Sequence, residues 1–151
     1  MSTSSRPIVV GIDGTRASER ALSWAMDEAV VRGCPLNVVN AWNYEPLADW
    51  RENTVEQARQ ESEALIEEAL RAASAGRTEL PEIVRHSLRG YAAEVLEAAS
   101  EGAAMLVVAS HAGHAIRQIL LGSTSTHCVR HAHAPVAVIP VTGRELAETT
   151  S

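Results

Sequence analysis

Two neighbouring stretches in the C-terminal third of the chain carry residue types that bind phosphate. The first reads VVASHAG at residues 107–113, a buried strand that runs into a loop, and the second reads LLGSTS at residues 120–125, a turn that opens a helix. Free backbone N–H groups at a helix N-terminus, with small hydroxyls beside them, favour an anion. The alternative is that Ser123 is an ordinary helix N-cap, and the residues taken alone favour that alternative.

A further polar position follows the first predicted strand. Residues 8–12 read IVVGI, a continuous apolar run typical of a strand buried on both faces, and Asp13 and Gly14 end it. Asp13 either closes a tight turn, where Asp-Gly is common, or accepts hydrogen bonds from the base or ribose of a ligand. The sequence favours neither of these two interpretations over the other.

Histidines form a second group of candidate ligands. His111 and His114 lie in the loop, and His127 and His131 lie four residues apart on the last predicted helix. That helical spacing can place two imidazoles on one metal ion, but no acidic residue near them in sequence completes a ligand set. We therefore expect no metal site. His111 and Arg117 are instead candidates for supplying positive charge to phosphates.

Strand and helix patterns alternate along the chain and must position these residues. This alternation predicts right-handed βαβ units and a parallel sheet covered by helices on both faces. Ligands of such sheets bind beyond the carboxyl ends of the strands, where the strand order reverses. Asp13 and Ala109 therefore line one crevice if their strands are neighbours. The five strand-like runs occupy residues 8–12, 36–42, 82–88, 105–109 and 135–139.

Composition narrows the class of protein. The chain has 151 residues, of which 46% are hydrophobic and 3% aromatic, so we expect one domain over residues 1–151 with an aliphatic core and loose ends. The formal net charge of −6 argues against nucleic acid and anionic membrane surfaces as partners. Two cysteines make no disulfide framework, and the N-terminus lacks an apolar signal core, so we expect a cytoplasmic protein.

The chain resembles the universal stress protein family along most of its length. The opening IVVGIDGT at residues 8–15 carries the resemblance, as does the closing half from LGS at residues 121–123 to HAHAPV at residues 131–136. The resemblance covers residues 6–141. It implies an α/β fold of the adenine nucleotide α-hydrolase-like, Rossmann-like kind. That fold is a single doubly wound, five-stranded parallel sheet of order 3-2-1-4-5 with helices on both faces.

The resemblance also directs attention to two alanines. The ATP-binding branch of the family carries the glycine pattern G-x2-G-x9-G-[ST], which falls here on Ala109, Ala112, Gly122 and Ser123. The spacing is kept, but alanine replaces the first two glycines. A methyl group costs little where the backbone is strand-like or helical, and about 1 kcal/mol or more where φ must be positive.

The resemblance further implies a role for each part of the site. Asp13 and Ala41 would flank the base, the two alanines would lie along the ribose and phosphates, and residues 123–125 would hold the phosphates. The complete predicted site consists of Ile12, Asp13, Ala41, Val108, Ala109, Ala112, Gly122, Ser123, Thr124 and Ser125.

The leading interpretation is a cytoplasmic universal stress protein, a stress-response regulator that binds ATP, with or without magnesium, or another adenine nucleotide. No catalytic residue is evident, so hydrolysis would at most be slow. The resemblance implies a homodimer through the last strand, Val136–Ile139, whose apolar edge invites pairing. One alternative is a nucleotide-free dimeric interaction protein whose crevice Ala109 and Ala112 have closed. Another is an enzyme of the α-hydrolase type, which the missing catalytic motifs disfavour.

Overall fold

The strands and helices of the protein follow the predicted alternation. The computed structural model describes residues 5–44, 54–112, 119–120 and 122–140, with the backbone alone for 111–112 and 119–120. The elements are β1 (Ile8–Gly11), α1 (Arg16–Arg32), β2 (Leu36–Trp42), α2 (Val55–Ser74), β3 (Ile83–Arg89), α3 (Ala92–Ala99), β4 (Met105–Ala109), β5 (His111–Ala112), β6 (Ile119–Leu120), α4 (Ser123–His131) and β7 (Val136–Ile139).

Five parallel strands form the central sheet, in the order β3-β2-β1-β4-β7. Because β5 and β6 stand outside this sheet, the order confirms the predicted 3-2-1-4-5. The first strand lies between β2 and β4. The strand order therefore reverses at this point, because β2 and β3 follow on one side of β1, and β4 and β7 follow on the other. The carboxyl ends of β1 and β4 meet at one edge, where a ligand crevice is expected.

The segment after β4 contains more structure than the predicted loop. His111 and Ala112 form an antiparallel pair of short strands with Leu120 and Ile119. Of the two candidates for supplying positive charge to phosphates, Arg117 lies outside the described residues, as does His114, and His111 is described by its backbone alone.

The helix ends follow local sequence signals. Thr15 caps α1 by accepting a hydrogen bond from the N–H of Ser18. Gly33 ends the same helix with a φ of 66°, the left-handed conformation that favours glycine. A reciprocal capping box between Thr54 and Gln57 begins α2. None of the described helices has the length and apolar character needed to cross a membrane.

The two faces of the sheet carry cores of unequal size. Helices α1 and α2, of 17 and 20 residues, bury the larger cluster on one face. Helices α3 and α4, of 8 and 9 residues, bury the smaller cluster on the other face. The shorter helices leave the carboxyl end of the sheet partly uncovered on their side. The larger cluster is centred on Ile8, Val10, Leu22, Met26, Leu36, Val38, Ile66 and Val107, and the smaller on Val9, Val39, Leu96, Leu106, Val108 and Cys128.

Candidate functional site

A cavity of about 270 Å³ opens at the carboxyl ends of β1, β2 and β4, on the face covered by α3 and α4. Ligand pockets span roughly 300–1,000 Å³, so the volume of this one lies just below that range. The structure places nine of the ten predicted site residues in its lining, and the tenth, Ala112, has no described side chain. The lining consists of Gly11, Ile12, Asp13, Ser18, Val39, Ala41, Ala92, Leu96, Val108, Ala109, Gly122, Ser123, Thr124 and Ser125.

One end of the cavity is formed by the N-terminus of α4. Gly122 is the N-cap, with φ of −72° and ψ of 177°, and Ser123 is the first helical residue, so the interpretation of Ser123 as the cap is wrong. Among the described residues no side chain caps this helix, and its first backbone bond runs from the N–H of Thr126 to the Gly122 carbonyl. The N–H groups of residues 123–125 thus remain available at the positive end of the helix dipole.

The three hydroxyls of this turn are not equivalent. The Ser125 hydroxyl is buried and donates a hydrogen bond of 2.7 Å to the Ala109 carbonyl, which ties α4 to the end of β4. The side chains of Ser123 and Thr124 are exposed and half-buried, and both line the cavity. Of the three predicted phosphate contacts, Ser125 therefore also has an anchoring role. Sequence reasoning missed that role because the two partners lie 16 residues apart.

The two alanines of the glycine pattern both lie in strands. Ala109 is the last residue of β4 and pairs with Ile139, and Ala112 belongs to β5. An extended backbone is open to any residue, so the missing glycines are not required here for a positive φ. What remains at Ala109 is the volume of one methyl group at the cavity wall.

Asp13 also lines the cavity, at the turn that follows β1. Its Oδ1 accepts hydrogen bonds from the backbone N–H of Thr15, at 3.0 Å, and from the Thr15 hydroxyl, at 2.6 Å. Its own N–H donates to the Ser18 hydroxyl at 3.2 Å. Asp13 therefore closes the turn between β1 and α1 while its exposed side chain borders the cavity. It is the sole ionisable side chain in the described lining.

The wall of the cavity around Ala92 and Leu96 is apolar. Ala92 and Leu96 share the inner stripe of α3, whose periodicity does not distinguish a cavity wall from a packed core. Gly11 allows Leu96 to lie against β1, since a Cβ atom there would come within 2.7 Å of Leu96 Cδ1. A glycine inside a strand pattern is a usable signal for such close approach. The wall residues that sequence reasoning missed are Gly11, Ser18, Val39, Ala92 and Leu96.

An acidic residue that sequence proximity did not reveal joins the histidines of α4. Glu97 of α3 lies 2.7 Å from His127 Nε2 and 3.7 Å from His133 Nε2. The hydrogen bond with His127 is the main cause that holds the pKa of the Glu97 carboxyl below its usual range. The folded chain thus brings an acidic residue to histidines that have none near them in sequence. Within the described part of the chain, however, no group of three or more His, Cys, Asp or Glu side chains is placed to hold a metal ion.

The neighbouring Cys128 is chemically quiet. Its side chain is fully buried on the inner face of α4, and burial raises the pKa of its thiol to about 11. Because the thiolate is the reactive form, a thiol with this pKa is a poor nucleophile at neutral pH. Cys34 is also buried and unpaired.

Comparison with known proteins gives one consistent family. Residues 4–140 match the universal stress protein family. A universal stress protein of Mycobacterium tuberculosis is 37% identical over 88% of this chain, and the match covers 47% of that protein. The chain thus spans about half the length of the curated relatives it matches.

Solved structures of universal stress proteins share the fold. One from Archaeoglobus fulgidus in complex with dAMP is 25% identical, with a TM-score of 0.59 over 89% of this chain and 97% of that one. Another, in complex with cAMP, is 23% identical, with a TM-score of 0.63 over 89% of this chain and 95% of that one.

Proposed function

The chain belongs to the universal stress protein family, and from that premise we propose that it binds an adenine nucleotide in the cavity between β1, β2, β4 and the helices α3 and α4. The observation that carries the proposal is the uncapped N-terminus of α4 at one end of an apolar slot. The N–H groups and helix dipole suit a phosphate, and the slot suits a flat base.

The two ends of the cavity divide the nucleotide between them. The base lies in the slot, flanked by Asp13 and Ala41 and against Leu96, the ribose lies along Ala109, and the phosphate meets residues 122–125. Family members bound to dAMP and cAMP support this assignment, because both ligands place an adenine base and one phosphate on a ribose-type ring. ATP, with or without magnesium, belongs to the same ligand class.

The role that follows is regulatory rather than catalytic. The described lining offers one carboxylate, Asp13, and that group is already engaged by Thr15, so no general base is poised beside the α4 end. We therefore propose a cytoplasmic stress-response regulator for which the nucleotide is a signal and whose hydrolysis of ATP is at most slow.

Titration of nucleotide-stripped protein with AMP, ADP and ATP, each with and without magnesium, tests the proposal by calorimetry. We expect saturable binding, and no saturation below several millimolar would overturn the proposal in favour of a nucleotide-free interaction protein.

Ser123→Asp places a carboxylate at the α4 N-terminus, where it interacts favourably with the helix dipole but repels a phosphate. AMP affinity should fall at least tenfold without loss of thermal stability. Ser123→Asn, with similar size and no charge, should stay within about threefold of the natural chain.

We also propose a homodimer through β7. This strand lies at the edge of the sheet, and its apolar side chains are half-buried rather than covered. In β7 the N–H groups of Val136 and Val138 point away from β4, because the carbonyls of Pro135 and Ile139 face β4. Among the described residues no strand pairs with this side of β7, and an edge of this kind can pair with a second copy.

Light scattering at tens of micromolar tests the dimer. Val138→Pro removes an outward N–H and should yield a monomer, whereas Val138→Ala keeps that N–H and should remain dimeric. A strictly monomeric natural chain would overturn this part of the proposal and leave nucleotide binding untouched.

A further inference from the structure

A series of three hydrogen bonds, buried at Ser62 and Asn40, ends on the backbone carbonyl of Ile12, a residue that lines the cavity. The Ser87 hydroxyl donates to the Ser62 hydroxyl at 2.7 Å, and the Ser62 hydroxyl donates to Asn40 Oδ1 at 2.7 Å. The Asn40 amide nitrogen then donates to the Ile12 carbonyl at 2.8 Å. Because a carbonyl can only accept, the orientation of the Asn40 amide is fixed by its partners. These hydrogen bonds run from β3 through α2 and β2 to the end of β1.

Buried polar groups of this kind are costly unless each has a partner. Asn40 is 6% exposed and Ser62 is 3% exposed, and both lie on the face packed by the larger apolar cluster. An apolar pair would fill the same space without that risk. The bond from Asn40 to Ile12 is therefore the feature that calls for an explanation.

The consequence of this bond lies in the backbone of Ala41. In β2, Leu36 and Trp42 bond to the β3 side, whereas the Val39 carbonyl accepts from the Ile12 N–H on the β1 side. Backbone direction alternates along a strand, so the N–H and C=O of Ala41 also point to the β1 side. A regular ladder would next join the Ala41 N–H to the Ile12 carbonyl.

That next rung is missing. The register of β1 with β2 ends at Gly11 and Val39, and among the described residues no backbone bond joins Ala41 to Ile12. The Asn40 amide occupies the Ile12 carbonyl in its place. Both polar backbone groups of Ala41 are thereby left facing the cavity that Ala41 lines.

We propose that Asn40 is a positioning residue that keeps the Ala41 N–H and C=O available to the base, and so sets selectivity for adenine. This inference rests on the proposed nucleotide site. Adenine presents an acceptor, N1, beside a donor, the 6-amino group, which complement an N–H and a C=O. Hypoxanthine presents a donor and an acceptor in the opposite order. Loss of the Asn40 amide lets the Ile12 carbonyl take the Ala41 N–H, which removes the donor that adenine N1 needs.

A matched pair of variants isolates the amide. Ser62→Ala removes a buried hydroxyl but leaves Asn40 bonded to Ile12. Ser62→Ala with Asn40→Leu removes the amide as well, and leaves no unsatisfied Ser62 hydroxyl beside the leucine. Calorimetric affinities for AMP and for inosine monophosphate are measured with both chains. We expect the second chain to bind AMP about tenfold more weakly, with affinity for inosine monophosphate within about twofold of the first chain, so that base selectivity is lost.

Two outcomes separate this inference from the proposed function. If neither the natural chain nor the Ser62→Ala chain binds a nucleotide, the proposed function fails and the inference fails with it. If both chains bind and share the same AMP preference, or if both affinities fall together, the inference alone fails, because a purely structural role would weaken the binding of both nucleotides alike.

Amide hydrogen exchange on the natural chain adds a test that needs no variant. The Ala41 N–H should exchange faster than that of Val39 in the free protein and slow on AMP binding, and strong protection of Ala41 in the free protein would overturn the inference.

Discussion

The two faces of the sheet divide stability and binding between them. On the face of α1 and α2, two long helices bury large aliphatic side chains such as Leu22 and Met26 to full closure. On the face of α3 and α4, two short helices cover a smaller core, and Leu96 is shared between that core and the cavity wall. A cavity needs space that core side chains do not fill, so the face with the smaller core is the one that can bind a ligand.

The largest expected difference between the faces concerns stability. Leu22→Ala and Leu96→Ala delete the same side chain from opposite faces. Leucine-to-alanine changes in cores cost about 2–5 kcal/mol, and the cost grows with the cavity left behind. We expect about 4 kcal/mol for Leu22, which is fully enclosed, and about 2 kcal/mol for Leu96, which already borders open space. Urea denaturation measures both, and equal losses would contradict the division of roles.

A second variant is expected to change nucleotide binding more than stability, which is the reverse of the leucine variants. In Gly11→Ala the new methyl group would come within 2.7 Å of Leu96 Cδ1, the far end of a flexible side chain. We expect Leu96 to turn into the cavity, so that AMP affinity falls about tenfold while the unfolding free energy changes by about 1 kcal/mol or less. Calorimetry and urea denaturation on the same preparation separate the two effects. Unchanged affinity with a large loss of stability would show that the core, not the cavity, absorbs the methyl group.

The sequence predicted the strands and helices of both faces better than it predicted the contacts between them. Strand runs such as IVVGI at 8–12 and the spacing of the helical stripes predicted the sheet and its covering helices, since those patterns are set within each element. The strand order came from the family resemblance. Nine predicted site residues lie in the cavity lining for the same reason.

Contacts between distant elements could not be predicted in this way. The inner stripe of α3 has the same periodicity whether Leu96 packs in a core or borders a cavity. Glu97 and His127 are 30 residues apart, and Asn40 and Ile12 are 28 apart, so no local pattern joins either pair. The short pairing of β5 with β6 likewise depends on residues that meet only after the chain has folded.

A smaller effect is expected where alanine replaces the family's glycine. Ala109→Gly restores the glycine at the end of β4, where the backbone is already extended and paired with Ile139. We expect the unfolding free energy to fall by about 0.5–1 kcal/mol, because glycine loses more backbone freedom on folding. AMP affinity should change by less than about threefold. A gain of tenfold or more would show that the methyl group obstructs the ligand, and would favour the nucleotide-free alternative for the natural chain.

The smallest expected effect concerns the Glu97 contact that joins α3 to α4. The pKa of the Glu97 carboxyl is lowered in the folded chain, chiefly by the hydrogen bond with His127. The ionised carboxyl therefore stabilises the fold at any pH above the ordinary pKa of glutamate. That stabilisation is lost as pH falls through the lowered value. Glu97→Gln should therefore reduce stability at neutral pH and make it less sensitive to acid. Glu94→Gln is the matched control, since Glu94 is exposed in the first turn of the same helix. Thermal unfolding between about pH 3 and pH 7 measures both variants. If Glu97→Gln kept the acid sensitivity of the natural chain, the contact would contribute nothing to holding the two helices together, and apolar packing with the Ser125 anchor would carry more of the cavity wall.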